Sequence, residues 1–422
     1  GIPVATVNPK LSDKEIKAIC DDAEAKILFV DKASYITLED IVFSTIEKIV
    51  VIENELEDWI MSSKPLTESP VIMEWDVFTM PYTSGTTGKP KGVLVPHRSR
   101  ILTLFGMAVE YGCYSPDDRF LAIAPMCHGA GMIFSLAPIF FGGYAEIMDS
   151  FDPEIVLKTM KNENITGFFG VPTHFHGILS LEQSILNNSR SHQLKSIISN
   201  AAALPQQIKE QIIEHFGEGL LHETYGSTEG GIISNLRPGD QLKKLQCVGQ
   251  AFPCTEIKTL TESGKICEPN EVGELFSTSP YLFNGYWKRP DETKEALVDG
   301  WLTVGDMARQ DEDGYLYIVD RKKDMVISGG VNIYPREIED VLYNHPYIED
   351  VAVIGVPDEK WGESLKAFIV ANNPDELQSE DVLSFCEQNI SKIKIPKIIE
   401  FIDTIPRNAN GKVLKTVLKK DS

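Results

Sequence analysis

The stretch YTSGTTGKPKG, residues 82–92, decides how this chain is read. It sets hydroxyl side chains among three glycines and two lysines. A P-loop needs four residues between its first glycine and its Gly-Lys, then Ser or Thr to reach magnesium. Here only Thr86 and Thr87 separate Gly85 from Gly88, and Pro90 follows Lys89. Proline lacks an N–H and fixes φ where a P-loop opens its helix, so a P-loop ATPase or kinase is excluded. Phosphate binding survives on other grounds. Glycines let the backbone approach an anion, consecutive N–H groups form a nest, and the hydroxyls and lysines add donors. By composition alone a solvated polar loop is the better reading, since Gly/Ser/Thr/Lys loops are common.

The whole chain narrows the choice. Its 422 residues suffice for two or three domains with a sizeable core. Asp and Glu total 62 against 40 Lys and Arg, a net charge of -22, which opposes loose binding to nucleic acid or anionic membranes. An anionic substrate must therefore be met by specific cations or backbone N–H groups. The seven cysteines are scattered with no CxxC pair, as in a reduced cytosolic enzyme, and build no zinc site. With no long apolar run and no signal pattern, the expectation is a cytoplasmic protein without a transmembrane segment. The opening GIPVATVNPKLS reads like the end of a strand, so an N-terminal part is expected to be missing.

Along the chain, strands and helices alternate. LSDKEIKAICDDAEA offers a Ser12 N-cap and helical apolar spacing, and KILFVD and KIVVIE read as short buried strands. DRFLAIAPM, AEIMD, ITGFFGVP and SIISNAAAL are also of strand length, separated by helical stretches such as DPEIVLKTMKNEN and LPQQIKEQIIEHFG, which closes on Gly217. This pattern predicts an α/β fold of layered, largely parallel sheet. From about residue 242 the texture becomes β-rich, and the charged run DRKKDMV marks a junction before a compact α+β module. The expected domains are thus a large one, 1–320, with a β-rich subdomain at about 242–320, and a small mobile one, 321–422, hinged at 320–323.

The order of residues, not their composition, lifts the opening loop above a solvated turn. YTSGTTGKPKGV closely resembles the phosphate-loop signature of the adenylate-forming superfamily, which includes acyl- and aryl-CoA ligases, peptide-synthetase adenylation domains and luciferases. Further stretches match in the family's order, most like the acyl-CoA synthetases. The resemblance implies that Thr83, Ser84, Gly85, Thr86, Thr87, Gly88 and Lys91 bind ATP phosphates. In HETYGSTEGG it implies that Tyr225 stacks on adenine with Ala202, Glu223 and Gly226 nearby, that Thr228 meets the α-phosphate region, and that Glu229 holds Mg²⁺. A flat ring suits a purine face, and a carboxylate beside a triphosphate suits magnesium. Asp306 and Arg321 would hold the ribose, since a carboxylate's two oxygens match a vicinal diol. In isolation each of these residues reads as core, turn or solvated charge.

In DRKKDMVISGGVNIYPREIE the resemblance makes Lys323 the hinge and Gly329 and Gly330 the lining of the thioester-stage tunnel. PRNANGKVLK supplies Lys412 on an Asn-Gly turn, where it would neutralise charge as the carboxylate attacks. APMCHGAG places His128 by the carboxylate as a gate rather than a base, with Val171, Asn200, Ala201 and Gly230 also lining the acyl pocket. Asn200 stands where the family usually has glycine. The implied reaction activates a carboxylic acid with ATP, Mg²⁺ and coenzyme A, giving acyl-adenylate and pyrophosphate, then acyl-CoA and AMP. The alternatives are an adenylating enzyme that loads a carrier protein and a truncated, inactive nucleotide-binding relative. Small residues near the pocket and no recognisable acidic partner for an ammonium group favour a fatty or aromatic acid. A homodimer is kept open for the assembly.

Overall fold

The computed structural model describes residues 2–84, 90–373, 376–407 and 413–420. The chain divides into two compact units, Gly1–Ile257 with Ser277–Leu302, and Lys258–Phe276 with Thr303–Ser422. The expected boundary at 320/321 falls inside the second unit. Among the described residues no helix is long and apolar enough to cross a membrane.

The first unit carries an antiparallel hairpin-like pair, β1 (Tyr82–Ser84) and β2 (Pro90–Pro96), with Thr83 opposite Lys91. The phosphate-loop residues Gly85, Thr86, Thr87 and Gly88 between them lie outside the described residues. The main sheet is built from β3 (Arg119–Ala122), β4 (Tyr144–Ile147), β5 (Gly167–Gly170), β6 (Ser196–Ser199), β7 (Leu221–Ser227), β8 (Gly231–Leu236) and β9 (Gln250–Ala251). Their order is β9-β8-β7-β6-β5-β3-β4, with β4, β3, β5, β6 and β7 mutually parallel. All four residues of β5 and of β6 are buried, as expected for central parallel strands covered on both faces. Phe168, Ile197 and Leu221 pack with Val156, Phe175 and Ile212 from the helices on one side.

Helix starts and stops follow the residues read from the sequence. Ser12 and Glu15 form a capping pair, with Ser12 N donating to Glu15 Oε2 at 2.9 Å. Gln206–Phe216 ends on Gly217 at φ 106. SIISNAAAL is a strand only through Ser199. There the Asn200 side-chain oxygen accepts from the next backbone N–H, and Ala201 turns left-handed at φ 76.

In the second unit β10 (Asp306–Gln310) pairs antiparallel with β11 (Leu316–Arg321), a register that sets Asp306 directly opposite Arg321. Then come β12 (Val326–Ser328), β13 (Val331–Ile333), β14 (Ile348–Asp358), β15 (Gly362–Ala371) and β16 (Ile398–Phe401) in one sheet ordered β13-β12-β15-β14, with β16 beside β15. Helices Pro335–Leu342 and Ser379–Asn389 cover it, burying Ile338, Leu342 and Val382 against Val353 and Ile369.

Candidate active site

Most of the site residues of the first unit lie at one edge of the main sheet. His128 follows β3 as the N-cap of α1 (Gly129–Phe140), and Val171 follows β5 as the N-cap of Pro172–Leu179. Asn200, Ala201 and Ala202 follow β6. β7 pairs with β6 only over residues 221–223, and its remainder runs past that edge paired with β8. The carboxyl ends of parallel strands are where open α/β sheets bind ligands.

The tip of β7 and β8 is shaped by glycine. A Cβ at Gly226 would sit 2.1 Å from the Gly231 carbonyl oxygen, and the register shifts between Tyr225 and Gly226. Such a bulge re-aims the neighbouring side chain. Residues 228–230 then turn tightly, with Gly230 N donating to Ser227 Oγ at 3.0 Å. Glu229 is buried at this turn. Its Oε1 accepts from the Tyr286 hydroxyl at 2.8 Å, and its carbonyl accepts from Phe283 N at 2.9 Å. Lys91 places its ammonium 5.1 Å from the Tyr286 ring centre and pairs with Glu292. A lysine from the phosphate-loop strand and the candidate metal carboxylate thus meet through one tyrosine. Tyr286 and Glu292 were not legible as site residues in NGYWKRPDE, where nothing but distant packing reveals them.

One lone carboxylate fits magnesium, which takes few protein ligands and completes its octahedron with water and phosphate oxygens. Among the described residues no cluster of three or more metal-binding side chains exists. Glu223 is placed differently from what an adenine contact needs. It is buried in an ion pair with Lys209, whose side chain is 1% exposed, and its Oε1 accepts from Leu204 N at 3.1 Å. Its visible work is to anchor the loop after β6. Asn200 Nδ2 donates to Thr224 Oγ1 at 2.6 Å, tying that loop to β7. His128 has its Nε2 3.4 Å from Asn8 Nδ2, and burial lowers its pKa below the ordinary histidine value, favouring the neutral ring.

In the second unit Arg321 Nε lies 2.7 Å from Asp306 Oδ1, with the carboxylate buried and the guanidinium half exposed. Such a pair fixes the carboxylate's orientation. Lys323 sits in the turn between β11 and β12. Gly329 and Gly330 join β12 to β13 at φ 59 and φ 80, a two-residue hairpin that favours glycine at both places. A Cβ at Gly329 would also lie 2.6 Å from the Trp361 ring. Lys412 lies outside the described residues. The bridge between Arg407 and Val413 flanks its segment.

The fold and this edge define an α/β protein with a polar, glycine-shaped site beyond the ends of its parallel strands. Comparison with known proteins names the class. The model of the AMP-binding enzyme matches residues 1–287, and that of the AMP-binding enzyme C-terminal domain matches residues 337–412. A feruloyl-CoA synthase of an Amycolatopsis species is 35% identical over 82% of this chain and 70% of the relative. A 2-succinylbenzoate–CoA ligase of Bacillus cytotoxicus is 31% identical over 100% of this chain and 83% of its own. Among solved structures, O-succinylbenzoate coenzyme A synthetase of Bacillus subtilis with ATP and magnesium ion superposes with a TM-score of 0.87 at 28% identity, covering 99% of this chain and 84% of that one. The chain belongs to the AMP-binding enzyme family.

Proposed function

We propose that the chain is an AMP-forming acid–thiol ligase that converts a small carboxylic acid, ATP and coenzyme A to acyl-CoA, AMP and pyrophosphate. The observation that carries this reading is the turn at the tip of β7, where Tyr225, Thr228 and the buried Glu229 stand in sequence, with Lys91 reaching Tyr286, which holds Glu229. Family membership and relatives named as CoA ligases support it.

In the first step a substrate carboxylate oxygen forms a bond to the α-phosphorus, and the bond to the bridging oxygen breaks with pyrophosphate leaving. In the second, the coenzyme A sulfur forms a bond to the acyl carbon, and AMP leaves with the electron pair. No protein nucleophile is needed, so the residues act by position and charge. Tyr225 stacks on adenine, with Ala202 and Gly226 beside it, and Asp306, steadied by Arg321, accepts from the ribose hydroxyls. Thr83, Ser84 and Lys91, with the loop 85–88, bind the outer phosphates, and Thr228 meets the α-phosphate. Glu229 would hold Mg²⁺, whose charge offsets that of the phosphates. His128, neutral, borders the acyl pocket with Val171, Asn200, Ala201 and Gly230. Glu223 acts by positioning the 200–204 loop. Lys412 neutralises charge in the first step, after which the small domain, from residue 321, turns about Lys323 and Gly329 and Gly330 line the thiol's path. We place the enzyme in the cytoplasm, supported by seven free thiols. The homodimer is carried as part of the proposal, for light scattering to decide.

The test uses Lys412→Ala. Acid-dependent pyrophosphate release should fall by about 100-fold or more, while acyl transfer from a supplied acyl-adenylate to coenzyme A is spared. Equal loss of both half-reactions would contradict the assignment. Pyrophosphate release without acyl-CoA would replace coenzyme A by a carrier protein.

A further inference from the structure

Glu229, the carboxylate that would hold Mg²⁺, is buried, and among the described residues no ion pair includes it. Its side chain has one hydrogen-bond donor there, the Tyr286 hydroxyl, which reaches Oε1 at 2.8 Å. A phenol O–H donated to a carboxylate is a charge-assisted bond, short and directional. It engages one oxygen and fixes the plane of the group, so Oε2 keeps one orientation.

The same tyrosine is fixed from the phosphate-loop side. It lies on the short strand Gly285–Tyr286, which pairs antiparallel with β2 and sets Tyr286 opposite Val93. Asn284 N donates to the Leu94 carbonyl and Trp287 N to the Gly92 carbonyl, both at 2.8 Å. Phe283 N donates to the Glu229 carbonyl at 2.9 Å. Lys91 has its ammonium 5.1 Å from the Tyr286 ring centre and pairs with Glu292. β1 is reached through Asp22, whose carboxylate accepts from the Tyr82 hydroxyl at 2.8 Å and from Arg289 Nη2 at 3.1 Å. Residues 283–292 therefore grip Glu229 by backbone and side chain, and both strands that flank the phosphate loop.

We propose that Tyr286 is a positioning residue that couples the metal to the nucleotide: its hydroxyl presents Glu229 to the divalent cation, and its ring, with Glu292, fixes where Lys91 stands. The proposal rests on the ligase reading above and deepens it, assigning the coupling to a residue outside the quoted motifs. A lone protein ligand has no fellow ligand to orient it, so the group hydrogen-bonded to it does that work, and losing such a partner typically costs about 10- to 100-fold in metal affinity. An ammonium over a tyrosine ring is held by the ring's negative face. Because one side chain serves both groups, metal and nucleotide strengthen each other's binding by the same factor. A tyrosine kept only for packing on Phe283, whose ring stands 5.0 Å away at 70°, would lose nothing on conversion to phenylalanine.

The test is titration calorimetry of ATP, once with Mg²⁺ and once in EDTA. The wild-type protein should bind ATP at least about 10-fold tighter with Mg²⁺, and Tyr286→Phe, which keeps the ring, should remove about that factor while its affinity in EDTA stays. Tyr286→Leu, which loses the ring as well, should also weaken binding in EDTA, by about 3-fold. Glu229→Gln should lose the Mg²⁺ advantage, and adding Tyr286→Phe to it should cost nothing more. No Mg²⁺ advantage in the wild type, a full advantage in Tyr286→Phe, or a further loss in the double variant would overturn the proposal. Binding is read without turnover, so the ligase reading fails separately. If no acid releases pyrophosphate, that reading falls, yet an Mg²⁺ advantage removed by Tyr286→Phe still upholds the role of Tyr286.

Discussion

Two cations of the first unit behave in opposite ways. Lys209, on the helix Gln206–Phe216, is shut away from solvent and matched by Glu223 from β7. Arg100 is matched by no carboxylate among the described residues and faces a cavity. A buried charge with a built-in partner holds structure together. One without a carboxylate, partly open to solvent, ties no two elements together, so the same kind of charge is scaffold in one place and not in the other.

The comparison breaks most sharply at Lys209. Lys209→Met leaves Glu223 buried without its cation and should cost about 3–5 kcal/mol in urea unfolding. Adding Glu223→Gln, which keeps an acceptor for Leu204 N, should return most of that loss; no recovery would show that Lys209 acts through packing instead.

A buried group on the same strand gives the next effect. His222 is held by burial at a pKa of about 4, against 6.5 for the free side chain. The unfolded chain therefore takes up the proton first. Stability is full above pH 6.5 and falls by about 3 kcal/mol as pH drops from about 6.5 to about 4. His222→Gln should flatten that slope, measured by urea unfolding across the window.

Asp306 and Arg321 lie between the extremes, a buried carboxylate with a half-exposed partner. Asp306→Asn should raise the KM for ATP by about 10- to 100-fold with a small change in melting temperature. The reverse pattern, lost stability with ATP use intact, would make the pair scaffold like Lys209. The smallest effect belongs to Arg100→Met, which removes an unmatched charge and should leave unfolding within about 1 kcal/mol of wild type or stabilise it. A loss as large as that of Lys209→Met would mean the guanidinium already has a structural partner.

Much of the fold was legible because its signals are local. The apolar runs of β5 and β6, the Ser12 cap and Gly217 at φ 106 all sit where the residues announce them. The candidate site was legible as an ordered series of motifs, yet its contacts were not. Lys209 looks like any polar residue of LPQQIKEQIIEHFG until the fold brings Glu223 over it. Arg100 in HRSRILT reads as a solvated helix start, because only the fold shows which walls it meets. Gly329 and Gly330 were visible as a pair, but Trp361, whose ring meets Gly329, comes 32 residues after it. Tyr286 joins Lys91 to Glu229 from a segment that carries no signal of its own.

The central claim is acid activation through an adenylate, and one reaction mixture tests it most directly. ATP, coenzyme A, Mg²⁺ and each of a set of fatty and aromatic acids are incubated with the enzyme, and AMP, pyrophosphate and acyl-CoA are quantified together. The account predicts the three products in equal amounts, dependent on the acid. ADP and phosphate in place of AMP and pyrophosphate, or no acid-dependent product at all, would contradict it.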